Sequence, residues 1–197
     1  VKILVLADVE SKYYWDFFSM DKLNDIDLIL SAGDLKAEFL SFLATYAKVP
    51  ILYVHGNHDA SYETKPPEGC ICIEDKIYKY NGIRILGLGG SIRYKNGPHQ
   101  YTQFEMKSRV AKLKPKIFFN RGFDILLTHA PAYHIYDGDD KVHEGFEAFV
   151  SLIDKYSPKF FVHGHIHMNY GMNNKRERNY KETRIINAYD HYIIEFE

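Results

Sequence analysis

Phe160-Phe161-Val162-His163-Gly164-His165-Ile166-His167 is an apolar, strand-like run that passes into three alternating imidazoles. Side chains alternate along an extended chain, so His163, His165 and His167 can share one side of it. Gly164 lets the backbone leave the strand register and spread the last two rings around one point. Neutral imidazole is the commonest side-chain metal ligand, so the run reads as part of a metal site. A His-rich surface loop or satisfied core histidines would be the plainer account of the run taken alone.

Four more segments repeat the arrangement. Asp8-Val9-Glu10 follows Val1 to Ala7, Gly33-Asp34 follows Leu28 to Ala32, Gly56-Asn57-His58-Asp59 follows Ile51 to His55, and Thr128-His129 follows Ile125 to Leu127. Each puts oxygen or nitrogen ligands at the carboxyl end of an expected strand, where open α/β sheets carry their sites.

Together the five segments resemble the calcineurin-like metallophosphoesterases. That family's pattern is Asp-x-His, Gly-Asp, Gly-Asn-His-Asp/Glu, a later His, and Gly-His-x-His. The resemblance runs from Asp8 to His167. It is specific for fold and metal binding and much less so for substrate. Glu10 stands where the family has His. Ala37, with Glu38 beside it, stands where a second Asp often orients the catalytic histidine.

The resemblance implies an α/β/β/α sandwich, four layers around two packed mixed sheets, in a single domain over residues 1–197. It implies two divalent metal ions bridged by Asp34. One would take Asp8, Asp34, His167 and Glu10, and the other Asp34, Asn57, His129 and His165. Glu10 has three readings: a carboxylate in place of the imidazole, a ligand through water, or a bystander. Oxygen donors favour Mn²⁺, with Fe, Zn or Ni as alternatives. Two such ions stabilise the attacking and leaving oxygens of an in-line displacement and activate a water. His58, beside Asn57, points to the substrate, to steady phosphoryl oxygens or protonate the leaving group. Asp59 orients a neighbour or caps the turn. His143, in a loop rich in Gly, Asp and Tyr, is the substrate-side candidate, as such loops line pockets. His163 is assigned to the sheet interior or to a supporting position, and His55 to orienting a ligand or to the core. Gly89-Gly90-Ser91 reads as a turn, or as backbone N–H groups near a phosphate.

Composition bounds the partners. The chain has 197 residues, 46% hydrophobic and 26% charged, with a formal net charge of -1. That balance gives no drive toward nucleic acid or membrane, and no apolar stretch is long enough to span a bilayer. No basic-then-apolar leader precedes the first strand, so no secretion signal is expected. Cys70 and Cys72 lie too close along one strand to bridge, and read as small buried residues in a reducing cytoplasm. The 16 Tyr and 13 Phe read as core and strand residues.

The first half alternates strand and helix, with a short helical segment in Trp15 to Leu23 and an amphipathic helix over Glu38 to Ala47. The middle turns to short strands, Cys70 to Ile73, Ile77 to Tyr80 and Ile83 to Leu88, the last two joined by an Asn81-Gly82 hairpin turn. A helix is expected from Thr102 to Leu113, ended by Pro115, and another from Gly145 to Tyr156. Tyr170 to Lys181 reads as a solvated polar loop, and Arg184 to Asn187 with Tyr192 to Phe196 as a closing hairpin. The expected activity is a cytoplasmic phosphodiesterase acting on a small phosphodiester. The alternatives are a phosphomonoesterase or protein phosphatase, a nuclease, which the charge disfavours, and a protein-interaction scaffold without turnover.

Overall fold

The computed structural model describes residues 1–168 and 175–197. β1 (Lys2–Ala7), β2 (Leu28–Ser31) and β3 (Ile51–Tyr53) are parallel neighbours, with α1 (Ala37–Tyr46) crossing between β2 and β3. β4 (Ile71–Cys72) joins this first sheet beside β3. In the second sheet, β6 (Ile83–Leu88), β9 (Ile125–Thr128) and β10 (Phe160–His163) are parallel, and β5 (Ile77–Tyr80) closes antiparallel on β6. Asn81 and Gly82 both have positive φ, 46° and 84°, as the expected two-residue hairpin requires. A small pair, β7 (Ser91–Ile92) and β8 (Gln100–Tyr101), stands apart.

Alternation along the strands builds the layers. Ile3, Val5, Leu28, Leu30, Leu52, Ile85, Ile125, Leu127, Phe160 and Val162 point to the layer between the two sheets. Leu4, Leu6 and Ile29 face the other way, against Phe39, Leu40 and Leu43 of α1. Leu86, Leu126 and Phe161 face α2 (Gln103–Phe119) and α3 (Glu147–Tyr156). This is the α/β/β/α sandwich. Strands buried on both faces carry near-continuous apolar sequences, as β1 and β9 do.

Several local expectations are corrected. α2 runs on through Pro115 to Phe119. Leu113 and Ile117, one turn apart and both buried, hold the last turn to the core despite the hydrogen bond that proline removes. Its start is strong: Thr102 and Glu105 form a reciprocal capping box. Only Met20–Leu23 of the early segment is helical, as a single 3-10 turn. The closing strands are not a hairpin. β12 (Thr183–Asn187) lies parallel to β10 in the second sheet, whereas β13 (Asp190–Glu195) pairs antiparallel with β1 in the first. Glu177 to Tyr180, expected in a loop, forms edge strand β11 against β12. Tyr170 to Asn174 of that expected loop lie outside the described residues. Among the described residues no helix is long and apolar enough to cross a membrane.

Candidate metal centre

The carboxyl ends of the two sheets meet, and the chemistry collects there. Asp8 follows β1, Asp34 follows β2, and Asn57 and His58 follow β3. His129 follows β9, and His165 and His167 follow β10. Gly164 makes the approach possible: a side chain there would overlap Ala7 and crowd Asp8. Its N–H bonds the His129 carbonyl, 3.0 Å. The His165 N–H lies 2.9 and 3.0 Å from the two carboxylate oxygens of Asp8. Asp8, Asp34 and His165 all adopt left-handed backbone, with φ of 69°, 57° and 66°. That conformation costs a non-glycine residue about 1–3 kcal/mol and clusters at functional sites.

Asp34, His129 and His165 offer ligand atoms all within 4.8 Å of one another. His129 is fully buried. Its Nδ1 donates to the Ala32 carbonyl at 2.8 Å, so Nε2 faces Asn57 Oδ1 at 3.1 Å and Asp34 Oδ2 at 3.4 Å. His165 Nε2 donates to the Val142 carbonyl at 2.8 Å, which leaves the Nδ1 lone pair for the cluster. Asp34 Oδ1 accepts the His58 N–H, 2.7 Å. Asp59 uses one carboxylate oxygen to take the N–H groups of Asp34 and Gly56, 2.8 and 2.7 Å, and so holds two of the loops together. His58 has φ -103° and ψ 0°, the bridge region where many active-site residues sit.

Burial and neighbours set the charges. Burial raises the Asp8 carboxyl to about 7, against the opposing pull of His129 and the His165 N–H. Burial also pushes Asp34 up, but the charge and hydrogen bond of His129 and the His58 N–H outweigh it and hold Asp34 well below the usual carboxylate range. Burial pushes His129 down, yet Asp34, Asp8 and the Ala32 carbonyl carry it up to about 9. Positive charge is therefore favoured where His129 Nε2, Asp34 and Asn57 Oδ1 converge. His165 is held at about 3, first by burial and then by His129. It is a neutral ring, the form that ligates metals. Burial also lowers His167. Two buried carboxyl groups, the imidazoles of His129, His165 and His167 and an amide oxygen form a donor set that fits a divalent cation, which would take the place of the positive charge on His129.

A cavity of about 280 Å³ opens on this cluster, lined by Asp8, Asp34, Asn57, His58, His165 and His167, with Tyr94, Val142 and His143 completing its wall. The His143 ring tilts against His165, 5.3 Å between ring centres, and its Nδ1 lies 2.8 Å from Asp140. It also borders a larger cavity of about 700 Å³ lined by Tyr136, Asp137, Gly138, Asp139, Asp140, Ile166 and Arg178.

Glu10 does not join the other candidates. Its carboxylate accepts the Lys36 N–H at 2.9 Å, at the start of α1, and pairs with the Lys36 ammonium at 3.6 Å. His163 faces away with Phe161, stacked at 5.4 Å, and burial lowers it to about 4. His55 is bound to Glu74, 2.6 Å, and stacks on His99 at 4.3 Å. His55, Glu74 and His99 bring ligand atoms together, but parallel rings cannot aim in-plane lone pairs at one ion. Arg109 already neutralises Glu74, at 2.7 Å. The Gly90 and Ser91 N–H groups are taken by the His55 and His99 carbonyls, which leaves these two no proton for a phosphate. Tyr94 was missed. Nothing in Arg93-Tyr94-Lys95-Asn96-Gly97 marks it as part of a site.

A family model described as calcineurin-like phosphoesterase matches residues 1–169. Among curated proteins no match is found. The fold is similar to that of TT1561 of Thermus thermophilus, with a TM-score of 0.63 at 16% identity over 96% of this chain and 89% of that one. It is also similar to the 5'-nucleotidase of Candida albicans SC5314, with a TM-score of 0.59 at 13% identity over 95% of this chain and 45% of that one. GAP50, described as the anchor in the inner membrane complex of Plasmodium, aligns with a TM-score of 0.50 at 13% identity over 95% of this chain and 70% of that one.

Proposed function

The chain belongs to the calcineurin-like phosphoesterase family, and from that membership we propose that it is a metal-dependent phosphodiesterase acting on a small phosphodiester. The observation that carries this reading is the convergence of Asp34, His129 and His165 within 4.8 Å, at the joined ends of both sheets and on the floor of a cavity. In this reading Asp8, Asp34 and His167 would hold one divalent ion, and Asp34, Asn57, His129 and His165 would hold the other. Glu10, engaged with Lys36, is left out. The mixed nitrogen and oxygen donors suit Mn²⁺, Fe or Zn. When bound, such ions lower the pKa of a water and neutralise charge on the attacking and leaving oxygens.

The chain's own groups do the rest. Asp34 stays ionised and would be the carboxylate shared by the two ions. Asp59 fixes the backbone of Asp34 and Gly56, so the bridge keeps its position. His58 lines the cavity without a ligand role and donates a proton to the leaving oxygen. His143, oriented by Asp140, meets a phosphoryl oxygen from the side of the larger cavity. That second cavity favours a diester over a monoester, because it gives the remaining ester substituent a place beyond His143. A cytoplasmic location completes the reading, supported by two cysteines that form no disulfide.

The test is metal content and hydrolysis of aryl mono- and diesters with Mn²⁺, in the wild type and Asp34→Asn. The wild type should bind two ions and prefer the diester. Asp34→Asn should lose both ions and nearly all turnover. Full metal content in the variant would overturn the bridging role. Metal binding with no turnover of either ester would turn the reading to a non-catalytic scaffold.

A further inference from the structure

Part of the cavity wall is made by Tyr94, and several ties fix that placement. The residues between β7 and β8 form a loop held at its base. Gln100 is buried, 3% exposed, and its Oε1 accepts the N–H groups of both Tyr94 and Lys95, 3.3 and 3.2 Å. His99 stacks on His55, one residue before the Gly56-Asn57 turn, and the His99 carbonyl takes the Ser91 N–H, 3.0 Å. Arg93 is clamped to Glu105 at the start of α2, 2.8 Å. These ties set Tyr94 over the cavity beside Asp8, Asp34, Asn57 and His58.

The hydrogen-bond count at the phenol is decisive. Asn57 Nδ2 donates to Tyr94 Oη at 3.3 Å, while Asn57 Oδ1 is directed to His129. A phenol carries one proton and accepts through its lone pairs. One lone pair meets the Asn57 amide, so the proton points elsewhere. Among the described residues the Tyr94 O–H makes no hydrogen bond of its own. It is a donor facing a cavity whose other lining is mostly carboxyl groups and imidazoles, together with the Asn57 amide and Val142.

Building on the phosphoesterase reading, we propose that Tyr94 is a substrate-binding residue whose phenol O–H donates to a non-bridging phosphoryl oxygen. The same group holds the Asn57 amide with its oxygen turned to the ion-binding cluster. The proton stays on the phenol throughout, so Tyr94 takes no part in bond making or breaking. Its hydrogen bond stabilises the anionic phosphoryl group.

Tyr94→Phe removes one oxygen from a partly exposed loop residue and leaves its ring packing in place. Wild type and variant, both loaded with Mn²⁺, are compared by metal content, by calorimetric titration with inorganic phosphate, and by kcat/KM for bis(4-nitrophenyl) phosphate. A hydrogen bond to a charged group predicts phosphate affinity and kcat/KM both weakened roughly 10- to 100-fold, with two ions still bound. Phosphate affinity within about twofold of the wild type would overturn the proposal. So would a loss of metal large enough to explain the weaker binding, which would assign Tyr94 to holding Asn57 alone. If the wild type turned over no ester, the phosphodiesterase reading would fall, and the phosphate titration would still decide the role of Tyr94.

Discussion

At the scale of single residues, left-handed backbone at the strand ends decides which side chains reach the centre. β1 ends at Ala7, and Asp8 turns with φ 69°. The alternation that would put Asp8 and Glu10 on one side therefore stops between them. Asp8 swings toward His165, and Glu10 is carried out to Lys36. Asp8, Asp34, Asn57, His129 and His165 were legible as candidates because their segments each close an apolar run. Glu10 stayed open between ligand and bystander in the sequence, because the period-2 alternation that would place it beside Asp8 does not extend past the end of its strand. The expected outcome for Glu10→Ala is unchanged metal content with stability lowered by about 1 kcal/mol, the worth of one hydrogen bond. Metal analysis beside urea unfolding checks it. Loss of one ion from that variant would return Glu10 to the ligand set.

At the scale of elements, Glu74 ties the end of β3 to β6 and α2. Its carboxylate takes the His55 ring and backbone N–H on one side and Arg109 on the other, and Arg109 also reaches Asp75 and the Gly89 carbonyl. Burial pushes Glu74 up, but the His55 hydrogen bond and the Arg109 charge outweigh it and hold it at about 2. A folded-state pKa below the unfolded value means stability that is complete above the unfolded pKa, near 4.5. That stability is lost as pH falls through about 2. Glu74→Gln should therefore cost on the order of 3 kcal/mol at pH 7, since it leaves the buried Arg109 with the half-exposed Asp75 as its remaining carboxylate. The gap to the wild type should narrow at pH 3. Urea unfolding at both pH values measures this, and an equal gap would show that the charge of Glu74 contributes nothing. The network was invisible in the sequence, where Glu74 and Arg109 are 35 residues apart. The passage of α2 through Pro115 was hidden for a related reason. Local propensity argues for a stop, and only the burial of Ile117 against the second sheet argues for one more turn.

At the scale of the whole molecule, the layer between the sheets holds the two halves of the site at a fixed distance. Leu127 is fully buried there, two residues before His129. Leu127→Ala should destabilise the protein by about 2–5 kcal/mol through lost burial and the cavity left behind. Under native conditions its metal stoichiometry should stay unchanged, because no ligand atom is removed. Denaturant unfolding with metal analysis checks both halves of the expectation. A loss below about 1 kcal/mol would mean that the layer repacks freely and does not set the spacing of the sheet ends.

The amino-acid sequence by itself determined the family, the α/β/β/α layering and most of the metal-site candidates. Those depend on information local to the chain: apolar runs of strand length, glycines at their ends, and donor residues at short spacing after them. Tertiary structure alone decided the sheet to which each closing strand belongs. β12 and β13 are separated by only two residues, yet they pair with β10 and β1 in different sheets, because each completes an edge that the other cannot reach. It also decided that Glu10 turns outward and that Tyr94, from a loop without any motif, faces Asn57. Hydrogen bonds and burial between residues far apart in sequence select one partner among many, and spacing along the chain carries no record of that choice.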